Sequence, residues 1–263
     1  HNMANVYNRK GDYDKAMELY EKCLPIRLNS LGDKHPVNAT TYNNMARVYD
    51  KLGDYDKAME LHEKCLAIRL NSLGDKHPNV ANTYNNIALI HIELQNYNLA
   101  LENITKAYNL REKYNFNPID IAHSFKSFSE LYFIWNMQEK GNLYLAKTDS
   151  INKLIQEQKS STKFKDYDDL TFKLLDNYLG NCYEYKGEYL SNQKRYNQAL
   201  EAYNKASSYY GEFAFQKISL INKKANIYYM LAEYENCLKA VEECILLSTE
   251  QNLQKQIEIA LEL

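Results

Sequence analysis

Two histidines sit where chemistry would first be sought. His35 and His77 each close a Gly-Asp-Lys-His-Pro stretch, with Asp33 and Asp75 two residues earlier. An aspartate and an imidazole at that spacing could ligate a metal or pass a proton. The ligands of one ion must all come within about 2 Å of it. The two stretches recur 42 residues apart in connecting turns, so they cannot share an ion and are read as turn structure. The five cysteines are odd in number and form no Cys-x-x-Cys pair. They are expected to be small buried hydrophobes in a reducing, cytoplasmic setting, without disulfides. Asp168–Asp169 and Glu242–Glu243 are adjacent pairs that diverge by about 100° on a helix and read as solvated faces. No glycine-rich phosphate loop, Gly-x-Ser-x-Gly or His-Glu-x-x-His is present. Catalytic residues, cofactors and a metal site are therefore not expected.

The elements carrying these residues repeat. Gly11–Pro36 and Gly53–Pro78 are the same text except that Tyr20 becomes His62 and Pro25 becomes Ala67. A fixed period of this length signals stacked units, each burying its apolar face on the next. Within a unit the apolar residues fall at helical steps twice over. Tyr42, Met45, Ala46 and Tyr49 mark a first helix, which Leu52 and Gly53 end. Asp54 caps a second, carried by Tyr55, Ala58, Leu61, His62, Cys65 and Leu66. Pro36 and Pro78 suit the first turn of the helix that follows, where a missing N–H is harmless.

This pattern resembles the tetratricopeptide repeat. Small residues stand in the middle of helix A (Ala4, Ala46, Ala88) and at the start of helix B (Ala16, Ala58, Ala100). An aromatic or similar residue follows the first at Tyr7, Tyr49 and His91, and a third small position falls on Cys23, Cys65 and Ala107. The 42-residue period and the Leu-Gly-Asp-Lys-His-Pro loop are similar to the long repeats of kinesin light chains. The resemblance implies an all-α fold, a right-handed superhelical α-solenoid of antiparallel helix pairs. His62 and His91 are then expected at the edge of the core.

The regular units cover 1–118. A divergent fourth pair is expected at 119–158, a polar insertion at 159–175, two degenerate units at 176–248 and a further or capping helix at 249–263. Ala199 and Ala225 are expected small packing residues of the later units, and either Gly180 or Gly187 that of the fifth helix A. His1 falls inside a helix and Asn252–Leu263 begin another, so the chain is expected to belong to a longer protein or assembly.

A net charge of −2 and a pI near 6.4 argue against a nucleic-acid-binding face. No apolar run approaches the roughly 20 residues that a membrane span requires. What the family resemblance implies is a protein or peptide partner bound in a concave groove. Carried over position by position, the groove is lined by Asn5, Asn8, Asn43, Asn44, Arg47, Asp50, Asn82, Asn85, Asn86 and Leu89. His123, Lys126, Glu130 and Phe133 continue the line. Carboxamides there could pair with the main chain of an extended peptide, or they could be solvated or paired with one another. Asn82 and Asn86 occupy the cationic places of an Hsp70- or Hsp90-type carboxylate clamp, which argues against that subtype. The expected function is a non-catalytic adaptor or scaffold. Alternatives are the sensor arm of a larger NTPase, caspase-like CHAT protease or histidine kinase, and a Rap-like peptide-sensing regulator.

Overall fold

A computed structural model describes residues 2–114, 117–157, 169–211 and 213–250. Among the described residues there are twelve α-helices, and they divide into two units, 1–124 and 125–263. The first unit holds α1 (Asn2–Arg9), α2 (Tyr13–Leu31), α3 (Pro36–Lys51), α4 (Tyr55–Leu73), α5 (Pro78–Glu93) and α6 (Tyr97–Lys113). Helix α7 (Pro118–Ile134) spans the division. The second unit continues with α8 (Gln138–Glu157), α9 (Asp169–Asn192), α10 (Tyr196–Tyr210), α11 (Ala214–Met230) and α12 (Tyr234–Glu250). Consecutive helices pack as pairs within each unit. The fold is an all-α solenoid of antiparallel helix pairs, with odd-numbered helices A and even-numbered helices B.

Local chemistry sets the helix boundaries. Asp12 and Asp54 cap α2 and α4, each accepting from the backbone N–H three residues on. Pro36 and Pro78 open α3 and α5. His35 and His77 are their N-caps, with Nδ1 accepting from the N–H of Val37 at 3.3 Å and Asn79 at 3.2 Å. An imidazole thus does the work usually given to a serine or aspartate.

Every A-to-B turn has one left-handed residue. Gly11 and Gly53 fill the place first, and then Gln95, Asn136, Lys194 and Ala232 do so without glycine's freedom. In all six turns the N–H following that residue bonds the carbonyl five positions back, from Asp12 to Tyr7 through Glu233 to Tyr228. This six-to-one closure belongs to the Schellman turn. It places the later units by backbone geometry where side-chain resemblance has faded.

The seam between helices is built from residues with little side chain. Ala4, Ala16, Ala46, Ala58, Ala88, Ala100, Ala199 and Ala225 are all buried. Gly180 and Gly187 both lie in the fifth helix A, and both receive a tyrosine from α10. A Cβ on Gly180 would meet the Tyr210 ring at 2.4 Å, and one on Gly187 the Tyr203 ring at the same distance. Gly141 receives Phe133 in the same way, at 2.8 Å.

Two sequence expectations need correction. Residues 169–175 belong to α9, not to a loop. Apolar Leu170, Phe172, Leu174 and Leu175 let the helix start earlier, and Phe172 and Leu175 are buried. The rest of the expected insertion, 159–168, and most of the final segment, 251–263, lie outside the described residues. His62 is not at the core edge. It is 1% exposed and occupies the place that Tyr20 fills one period earlier. Its neutral form is enforced by burial and by Arg69 and Arg47, which hold its pKa down at about 4.

Three measurements of stability follow from these features. Ala232→Gly should stabilise the chain by on the order of 1 kcal/mol in urea unfolding, and Gly53→Ala should destabilise it similarly, since a Cβ is strained in the left-handed region. Pro25 lies inside the continuous helix α2 where α4 carries Ala67, so Pro25→Ala should stabilise by up to about 3 kcal/mol. His62 has a folded pKa below its unfolded one, so stability is full above pH 6.5 and falls as the pH drops toward 4. Unfolding curves across that window should show a loss of on the order of 3 kcal/mol relative to His62→Phe. A parallel decline in both proteins would contradict this account.

Candidate functional site

In the first unit the asparagines of the helices A form a ladder. Asn86 donates to Asn43 Oδ1 at 3.0 Å, Asn43 to Asn44 Oδ1 at 3.4 Å, and Asn44 to Asn5 Oδ1 at 2.9 Å. Tyr20 from α2 donates its hydroxyl to the same Asn5 oxygen at 2.5 Å. The bonds cross from α5 to α3 to α1 at separations of 43 and 39 residues, close to the period but not between equivalent positions. Asn5, Asn43, Asn44 and Asn86 are half-buried. They present one edge to solvent and bind the repeats together with the other.

The remaining expected groove residues divide. Asn5, Asn8, Asn44 and Arg47 line an open cleft of about 290 Å³ with Tyr13 and Lys51. Arg47 is exposed, as is Leu89 one period on. Asp50 stands beside these cations, and burial pushes its carboxyl up while Lys51 and Arg47 oppose the shift. Asn85, in contrast, is 3% exposed and lies 3.5 Å from His123 Nε2. Asn82 accepts from Arg111 Nη2 at 2.8 Å. Asn85 therefore serves the framework rather than an open surface, while half-buried Asn82 is tied to Arg111.

Lys126 and Glu130 belong to the second unit and form a 2.6 Å ion pair. Glu130 is 2% exposed, and burial raises its carboxyl pKa. It therefore does not line an accessible groove. Its Oε2 has no hydrogen-bond partner, and Glu184 and Glu188 of α9 add to the upward shift. Those two carboxylates grip Lys223 of α11, and Tyr210 of α10 donates to Glu184. Lys223 stays charged because both glutamates oppose the effect of burial.

The residues that sequence reasoning missed are three arginines in step with the period. Arg27 Nη1 donates to Thr41 Oγ1 at 2.7 Å, Arg69 Nη1 to Thr83 Oγ1 at 2.6 Å, and Arg111 Nη1 to Ser124 Oγ at 2.6 Å. Each reaches from a helix B to the next helix A. Arg69 and Arg111 are buried, and Arg69 also holds the Asn79 carbonyl at 2.9 Å. Their 42-residue spacing was the available signal. Their exchange of a charge for neutral acceptors was not visible in it.

Nothing in this arrangement activates a nucleophile. Burial raises the thiol pKa of Cys65 and Cys244 and lifts that of Cys182 to about 12, which keeps these thiols protonated. Among the described residues no group of histidines, cysteines and carboxylates could hold a metal ion. No described helix is long and apolar enough to cross a membrane.

Comparison with known proteins bears on the same residues. The tetratricopeptide repeat family model matches residues 1–71 and 53–113. Among curated protein sequences none matches the chain. Solved structures share the fold at low identity. The nearly identical TPR-like repeats of a protein described as a kinesin light chain from Podosopora anserina align with a TM-score of 0.52 at 18% identity, over 77% of this chain and 92% of that one. BtubC (BKLC) from P. vanneervenii gives 0.54 at 20% identity, over 80% and 78%. A Rap protein complexed with Competence and Sporulation Factor gives 0.63 at 11% identity, over 99% and 71%. The period, the paired helices and these matches identify residues 1–113 as tetratricopeptide repeats, and the solved structures share the helical-repeat fold over most of the chain.

Proposed function

We propose that the chain is a non-catalytic interaction module that takes a peptide or protein segment along the helix-A face of its first unit. The observation that carries this reading is the half-exposed asparagine ladder beside the cleft of Asn5, Asn8, Tyr13, Asn44, Arg47 and Lys51. A carboxamide has two donors and two acceptor lone pairs, so Asn43 and Asn86 retain capacity after bonding their neighbours. A row of such groups suits the alternating N–H and C=O of an extended chain, whatever its sequence. Leu89, Arg47 and Lys51 would then select side chains. Any catalytic activity, as in an enzyme fused to the array, would belong to residues outside those described.

A second reading, a peptide-sensing regulator, is supported by the likeness to the Rap protein. That match spans 99% of this chain, both units included, and the solved protein holds Competence and Sporulation Factor.

Selection from a displayed random-peptide library, followed by titration of the winning peptides, tests the proposal. Peptides retained by the native chain should bind Asn44→Ala/Asn86→Ala at least about 10-fold more weakly, the effect of losing one or two hydrogen bonds. Helicity should be unchanged. Equal affinity for both proteins would remove the ladder from the binding surface.

A further inference from the structure

A second cleft, in the second unit, collects positive charge. It has a volume of about 390 Å³ and lies between α9 and α10, with Gln138 of α8 at its rim. Lys186 of α9, Arg195 of the following turn and Lys205 of α10 all line it. Among the described residues none of the three forms an ion pair. The nearby Asp149 is already bound to Lys153 at 2.6 Å. Arg195 is held instead by neutral carboxamides, donating from Nε to Gln198 at 2.6 Å and from Nη1 to Gln138 at 3.3 Å. Those bonds aim the guanidinium without neutralising it.

The ammonium of Lys205 lies 5.3 Å from the centroid of the Tyr183 ring, which stacks on Tyr209. Lys186 is half-buried. Burial, and then Lys205 and Arg195, push its pKa down. Convergence of like charges on a partly desolvated lysine is unfavourable within the chain alone. Lys223, by contrast, has its charge neutralised by Glu184 and Glu188.

We propose that this cleft binds a phosphate group, with the dianion seated among Lys186, Arg195 and Lys205 and the organic body of the ligand resting on Tyr183 and Leu190. Three cations against the single carboxylate of Glu201 leave two positive charges, which match a phosphate monoester dianion better than a carboxylate. The volume lies in the range of small-molecule sites, about 300–1,000 Å³. The site draws nothing from the asparagine ladder, so it stands or falls independently of the proposed peptide surface.

Calorimetric titration of the 263-residue chain at low ionic strength, with inorganic phosphate and separately with phenyl phosphate, tests this. Saturable binding is expected with the native chain, weaker by at least about 10-fold in Lys186→Gln and in Lys205→Gln, and unchanged in Asn44→Ala/Asn86→Ala. Tighter binding of phenyl phosphate would identify an organic phosphate as the ligand, and equal binding would identify the free anion. Without ligand, Lys186→Gln should melt higher than the native chain, because a repelled charge is gone, and phosphate should no longer raise its Tm. No saturable binding of either probe, or equal binding by Lys186→Gln and the native chain, would overturn the proposal.

Discussion

Close approach of helices is the constraint on which the rest of this structure depends. At each seam one partner has little or no side chain, and the other inserts a large one. Gly180 and Gly187 accept the rings of Tyr210 and Tyr203, and Gly141 accepts Phe133. Ala16, Ala46 and Ala58 are fully buried in the first unit. Interiors packed at crystal-like density leave no slack for an added methyl group there. The helix faces turned away from the seams are consequently freed from packing, and on them the sequence can vary.

That freedom shows in the first unit. Asn5, Arg47 and Leu89 are one period apart on successive helices A, and they differ completely while the alanines beside them do not. Asn44 and Asn86 stay the same, and the ladder shows why. Each bonds a carboxamide on the helix before it, so the asparagines are both surface and mortar. The second unit meets the same need with charge, through the clasp of Glu184 and Glu188 of α9 on Lys223 of α11. A buried ion pair contributes little net stability, but removing one partner leaves the other charge stranded, so the two are kept together.

Much of this was legible in the sequence. Helix pairs, the Asp54 cap and the proline starts follow from local residue chemistry, and local chemistry repeats with the text. The limits have equally physical causes. Turn glycines mark the first two units, but Lys194 and Ala232 adopt the same left-handed geometry with no glycine to announce it. The early start of α9 rests on the burial of Phe172 and Leu175, which a polar run just before them conceals. Within the candidate surface, residue spacing put the asparagines on helices A, which is where they lie. Which of them are open depends on partners 29 to 43 residues away. Asn85 turns to His123 and Asn82 takes Arg111, and neither partner is implied by spacing alone. Glu130 shares the helix position of a groove residue, yet its own unit buries it.

The arginine bridges carry one more consequence. Arg27 and Thr41, then Arg69 and Thr83, make the same bond between the same two kinds of helix. Donor and acceptor are thus standardised fittings. Removing one 42-residue period would bring Arg27 against Thr83, and adding a period would supply both halves of a new joint. The length of such an array can drift by unequal recombination between near-identical stretches of its gene, and every product of that drift inherits its arginine bridges.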